Sequence, residues 1–253
     1  MKLRNFKAII SYDGRAYYGF QKQKEKASVQ GELERALSFL FGYEVIVKGA
    51  GRTDAGVSAK GQVISFKLKD ENLRHLENKR AALNRLLPMD IFCSKLEEAP
   101  LTFDARHSSS GKRYSYSFCY LERDPLNAFE TALKVSSFDI SLFKEAICLF
   151  AGKHNFQNFT TKKDDKDNFI RILEPIVVLE NGPHVKAIFS SNGFMTYMIR
   201  LMVGSAFKVA THSLSIEALK ASLDNKERKI LSFKASPKGL ILEEVYYGKT
   251  FRK

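Results

Sequence analysis

Between Phe6 and Leu96 the spacing of apolar residues switches back and forth between two and about three and a half, an order that leaves few folds open. Phe6, Ala8, Ile10 and Tyr12 alternate with polar positions, which predicts a half-buried strand ending at Asp13-Gly14. Ser28 stands where an N-cap belongs, before a helix carrying Val29, Leu33, Leu37, Leu40 and Phe41, and Gly42 is its stop. A second strand is expected at about 44–48, and a third has Ile64, Phe66 and Leu68 on one face. A second helix, with Leu76, Leu83 and Leu86, must end before Pro88, because proline disfavours helical backbone at the preceding residue. A fourth strand follows at about 91–96. The order β-α-β-β-α-β is the ferredoxin-like plan, in which an antiparallel sheet carries both helices on one face. The other face is left for a ligand or partner.

After Phe103 the pattern starts again. Tyr114, Tyr116, Phe118 and Tyr120 share one face of a strand, and residues 139–150 read as a helix closed by Gly152. Strands are expected at about 170–179 and 185–189, then a helix over 197–210 and a last strand over 240–247. The fold class is therefore mixed α/β (α+β). It is read as two ferredoxin-like halves with antiparallel sheets, over residues 1–103 and 104–253. The run Lys162-Lys163-Asp164-Asp165-Lys166-Asp167 reads as a solvated loop.

No apolar run approaches the roughly 20 residues that span a bilayer, and the segment from Met1 to Phe6 lacks a signal-peptide pattern. No membrane association and a cytoplasmic location are the expectations. Cys93, Cys119 and Cys148 lie far apart, which fits reduced, buried thiols better than a disulfide framework or a zinc site. His75, His107, His154, His184 and His212 show no catalytic spacing, and His154 is read as stabilising a turn. The charge is more telling: 41 basic and 28 acidic residues give +13. Through Phe103 there are 18 basic and 12 acidic residues (+6), and 23 and 16 (+7) beyond it. The excess is spread through the folded chain, and such a surface favours polyanions through counterion release.

The chemistry-bearing stretch is Lys48-Gly49-Ala50-Gly51-Arg52-Thr53-Asp54-Ala55-Gly56-Val57. Its glycines do not make a dinucleotide site, because a strand and not a helix follows and Asp54 would repel a phosphate. Taken alone, Asp54-Ala55-Gly56 is equally a plain turn. The longer string Gly51-Arg52-Thr53-Asp54-Ala55-Gly56-Val57 resembles the active-site signature of the TruA family of tRNA pseudouridine synthases. Tyr12-Asp13-Gly14-Arg15-Ala16-Tyr17-Tyr18-Gly19-Phe20-Gln21 and Ser28-Val29-Gln30-Gly31 resemble its opening. Leu83-Asn84, Leu87-Pro88-Met89-Asp90-Ile91 and Phe103-Asp104-Ala105-Arg106 continue the match. Lys112-Arg113-Tyr114-Ser115-Tyr116, Gly152-Lys153-His154-Asn155-Phe156, Met198-Ile199-Arg200, Val203-Gly204, and Pro237 with Gly239-Leu240 complete it. Two positions depart from the pattern: Ser58 replaces a common His, and Leu201 a common Asn.

The resemblance implies RRM-like α/β halves flanking a basic active-site cleft, with the first half carrying the aspartate loop. It implies isomerisation of uridine to pseudouridine at positions 38, 39 and 40 of the tRNA anticodon stem-loop by a homodimer. It also implies that Asp54 is the essential carboxylate. No cofactor is expected: the reaction has no redox change and no phosphate transfer, and the sequence has neither a Walker motif nor clustered metal ligands. A carboxylate in a closed pocket protonates unless a cation or donors hold it charged. Arg200, within an apolar segment, is the candidate cation, the alternatives being another acidic partner or an extended side chain reaching solvent. Arg52 is expected to point away from Asp54 toward RNA, either holding the target nucleotide out of the stack or contacting a phosphate. Tyr114 resembles the tyrosine that stacks on the flipped uracil, with removal of the C5 proton as a second possible role. Tyr116, Phe118 and Tyr120 read as core. The rival readings are a catalytically silent RNA-binding protein and a synthase acting on another RNA.

Overall fold

The computed structural model describes residues 3–69, 76–121, 125–161, 168–224, 229 and 233–251. The charged run 162–167 and His75 lie outside them. Contacts divide the chain into two compact units, Met1–Ser109 with Ile241–Gly248, and Ser110–Leu240 with Lys249–Lys253. The strand at 240–246 is thus grouped mainly with the first unit, whereas a contiguous division at residue 103 keeps it in the second.

The first unit contains β1 (Leu3–Tyr12), α1 (Val29–Phe41), β2 (Lys48–Gly49), β3 (Ser58–Lys69), α2 (Leu76–Leu86) and β4 (Ile91–Ala99). It also takes most of the C-terminal strand, Leu240–Tyr246, numbered β11 in chain order. β1 lies between β3 and β4 and is antiparallel to both. β2 joins the far edge of β3, so the ferredoxin-like order β4-β1-β3-β2 is present. β11 pairs parallel to the start of β3, Ile241 opposite Ser58.

Phe6, Ala8 and Ile10 are fully buried, as are Leu33 and Leu37 of α1 and Ile64 of β3. Each large side chain among them contributes about 1.5–3 kcal/mol by leaving water. Ser28 caps α1 by accepting from Gly31 N, and Gly42 ends it in the left-handed region at φ 74°. The strand expected at 44–48 shrinks to Lys48–Gly49. The reason lies in α1: Ser38 Oγ accepts from Val45 N, Glu34 Oε1 accepts from Val47 N, and Gln30 Nε2 donates to Val47 O. These side chains take bonds that a neighbouring strand would otherwise make.

The second unit contains β5 (Gly111–Cys119), β6 (Thr131–Ala132), α3 (Ile140–Cys148), β7 (Gly152–Asn155) and β8 (Ile170–Leu173). It continues through β9 (Val177–Asn181), β10 (His184–Ser191), α4 (Met198–Ala210) and α5 (Ile216–Asp224). β5 pairs antiparallel with β10 along its whole length. The strand expected over 170–179 is two strands: Pro175 supplies no N–H, β8 pairs with β7, and β9 pairs with β10. Asp139 caps α3, which ends at Cys148, so Gly152 opens β7 and does not close the helix. Phe118, Phe143 and Phe207 form an aromatic core, with ring centroids 4.8 Å apart for Phe118 with each partner. Tyr116 is fully buried, and Tyr120 stacks on Phe138 at 5.0 Å.

Cys93 and Cys119 are buried, but Cys148 is exposed, contrary to expectation. Folding also gathers residues that are distant in sequence. The ligand-type atoms of Cys119, Glu130 and His184 lie within 4.8 Å of one another, so a potential metal-ligand group does exist in the fold. The bond of 2.8 Å between His184 Nδ1 and Glu130 Oε2 already satisfies two members of that group.

Candidate active site

Asp54 lies between β2 and β3 on a stretch without regular secondary structure, so side chains and neighbouring loops must hold it in place. Ala50 N donates to Val63 O at 2.8 Å, and Gln62 Nε2 donates to Gly51 O at 2.9 Å. The Tyr12 hydroxyl meets Thr53 Oγ1 at 2.8 Å, and Phe20 N donates to Thr53 O at 3.2 Å. Val57 N then donates to Asp54 O at 3.1 Å, closing a turn in which Gly56 has φ 80°. The plain-turn reading of Asp54-Ala55-Gly56 is therefore right about the backbone. Asp54 itself is half-buried.

The segment from Tyr12 to Phe20 is the seat of this loop, which gives a physical reason for both sequence blocks. Gly14 N donates to Ser58 Oγ at 3.0 Å, and a Cβ at Gly14 would stand well inside contact distance of the Val57 carbonyl. Gly19 has φ 99°, and a Cβ there would lie 2.7 Å from Thr53 O. Two chain segments approach here more closely than any side chain permits. Tyr17 OH donates to Asp90 Oδ1 at 2.6 Å and ties the seat to the Pro88–Ile91 turn. Ser58, one of the two departures from the family pattern, is buried and holds the Gly14 amide; Leu201, the other, is buried on α4.

Arg52 is exposed, Thr53 buried and Asp54 half-buried. In extended backbone, residues i and i+2 share a face, so an extended loop gives no reason for Arg52 to point away from Asp54. Thr53 is the inward-turned residue.

Tyr114 and Arg200 belong to the second unit. Tyr114, on β5 opposite Phe189, is 7% exposed and meets the Phe194 ring edge-on at 5.2 Å. Arg200 lies in the first turn of α4 and is 8% exposed, which removes the reading in which it extends to solvent. Its Nε donates to Ala235 O at 2.8 Å, and Ala235 N donates back to Arg200 O at 2.9 Å. The guanidinium also lies 5.3 Å from the Tyr197 ring centre. Tyr197 precedes α4 at φ 61°, a left-handed conformation costly for a tyrosine.

Sequence reasoning did not single out Tyr12, Gln62, Gly19 or Tyr197 as site-forming. For Tyr12 a signal existed: it is the polar end of an otherwise apolar strand face. For Tyr197 nothing in the residue type announces a positive φ. His154 bonds the Ala151 carbonyl at 2.7 Å, in line with its reading as a turn residue.

A family model described as tRNA pseudouridine synthase matches residues 8–108 and 146–248. The tRNA pseudouridine synthase A 2 of Clostridium perfringens is 35% identical over 97% of this chain and 100% of its own length. The tRNA pseudouridine synthase A of Dictyoglomus turgidum is 38% identical over 97% of this chain and 100% of its own. That of Lactococcus lactis subsp. lactis is 35% identical, covering 97% and 98%. With the aspartate loop and its seat inside the matched residues, the chain belongs to the TruA family of tRNA pseudouridine synthases.

Proposed function

We propose that the protein isomerises uridine to pseudouridine at positions 38, 39 and 40 of the tRNA anticodon stem-loop, with Asp54 as the essential carboxylate. The observation that carries this reading is the Gly51–Val57 loop, in which the backbone beside a half-buried Asp54 is held by contacts from β1, β3 and the Tyr12–Phe20 segment. A protein that only bound RNA would gain nothing from a firmly seated loop that offers a carboxylate to a polyanion.

The reaction breaks the N1–C1′ bond, turns the uracil and joins C5 to C1′; C5 then loses its proton and N1 gains one. Asp54 acts in the ionised form, whether at C1′, at C6 or on a sugar proton. Arg200 is the cation assigned to hold it charged, and its low exposure supports a role as a desolvated partner. Arg52, exposed beside the aspartate, contacts the displaced nucleotide or its phosphate. Tyr114 stacks on the flipped uracil, and its edge contact with Phe194 fixes the ring plane for that task.

The proposal includes a homodimer acting in the cytoplasm without a cofactor. Among the described residues no helix is long and apolar enough to cross a membrane. Mass spectrometry of modified RNA from a deletion strain tests the substrate. Loss of pseudouridine in the anticodon arm is expected; loss confined to ribosomal RNA, or no loss at all, contradicts the assignment.

A further inference from the structure

Tyr12 ends β1 and is 5% exposed, while Gln62 on β3 is fully buried. On the same strand as Tyr12, Phe6, Ala8 and Ile10 fill the core with no polar atom. An apolar residue at 12 or 62 would spare the cost of burying a phenol and an amide, so these polar groups need a reason. Both groups touch the aspartate loop. The Tyr12 hydroxyl is 2.8 Å from Thr53 Oγ1. Gln62 Nε2 donates to Gly51 O at 2.9 Å, whereas its Oε1 is buried without a hydrogen-bond partner. The amide thus sacrifices its acceptor to aim a donor at Gly51, since turning it over would set its oxygen against the Gly51 carbonyl.

The two residues flanking Arg52 are therefore clamped from below by β1 and β3, at the point where sheet pairing has stopped. We infer that Tyr12 and Gln62 are positioning residues for the reaction, fixing Gly51 and Thr53 and through them the place of the Asp54 carboxylate. They act through the loop backbone and touch no substrate. This inference rests on the reading of Asp54 as the essential carboxylate. Burial holds the Tyr12 phenol up at about 12, so it stays neutral throughout the working range.

The test compares kcat and KM for tRNA, with melting temperatures, in Tyr12→Phe, Gln62→Met, Thr53→Val, Thr53→Ser, the Tyr12→Phe/Thr53→Val double variant and Asp54→Asn. Loss of positioning is expected to lower kcat about ten-fold or more in Tyr12→Phe, Gln62→Met and Thr53→Val, with KM within about two-fold of wild type. The double variant should be no slower than its slower parent, because both changes break one contact. Thr53→Ser should recover most of the kcat lost in Thr53→Val. Losses that multiply in the double variant would overturn the inference, as would wild-type kcat in a folded Tyr12→Phe while Asp54→Asn is inactive. Activity retained by Asp54→Asn would instead overturn the reading of the aspartate. If Tyr12→Phe fails to fold, the contrast between Thr53→Val and Thr53→Ser decides: equal losses reject the hydroxyl contact.

Discussion

Gly19 puts the demands of the site into one residue. Its φ is 99°, and a Cβ added there would stand 2.7 Å from Thr53 O, so any side chain pushes the aspartate loop off its seat. Gly19→Ala is expected to cost about 1–3 kcal/mol of stability and to lower kcat beyond what the loss of folded enzyme explains. Chemical denaturation and initial rates on the folded fraction check this. Arg200 makes a comparable demand of geometry. Lysine keeps the charge but has neither the planar fork nor an Nε to bond the Ala235 carbonyl. On the proposed pairing of Arg200 with the Asp54 carboxylate, Arg200→Lys is therefore expected to lose at least about ten-fold in kcat. The loop around Asp54 was legible because its whole string carries a recognisable pattern. The contacts of Tyr12 and Gln62 with that loop were not, because they come from what the fold sets above them.

At the scale of elements, alternation and caps exposed β1, α1, β3, α2 and β4, since local chemistry and tertiary burial agree there. The strand expected at 44–48 failed because Gln30, Glu34 and Ser38 of α1 take its backbone partners, a competition invisible to periodicity. The break between β8 and β9 was legible in principle from Pro175. So was α5, where Ser215 Oγ accepts from Ala218 N at 3.1 Å and Leu219 and Leu223 are buried one turn apart. The turn after Phe103 shows a motif with a structural job. Asp104 Oδ1 accepts from Arg106 N at 2.9 Å and His107 N at 3.0 Å, and Lys48 Nζ reaches its other oxygen at 3.3 Å. The His107 amide bond leads the effects that bring its carboxyl down to about 2, below the ordinary carboxylate value near 3.8. With the folded value depressed, the stabilisation is complete above the unfolded value and is lost as pH falls from about 4 through about 2. Asp104→Asn should therefore be less stable than wild type at neutral pH, with the gap narrowing across that acid window in denaturation curves.

For the whole molecule the governing quantity is charge. A net +13 distributed through both stretches of sequence suits a substrate that is itself a polyanion. Affinity for tRNA is expected to fall about ten-fold or more between about 50 and 200 mM salt, linearly on logarithmic axes, while kcat at saturating tRNA changes little. Filter binding and initial rates at matched salt check both halves of that expectation. The most direct test of the account is tritium release from transcribed tRNA carrying [5-³H]uridine, by wild type and Asp54→Asn side by side in EDTA. Release by wild type alone, with tRNA binding kept by the variant, is the expected result. Release by Asp54→Asn at the wild-type rate, or none from wild type despite tight tRNA binding, would contradict it.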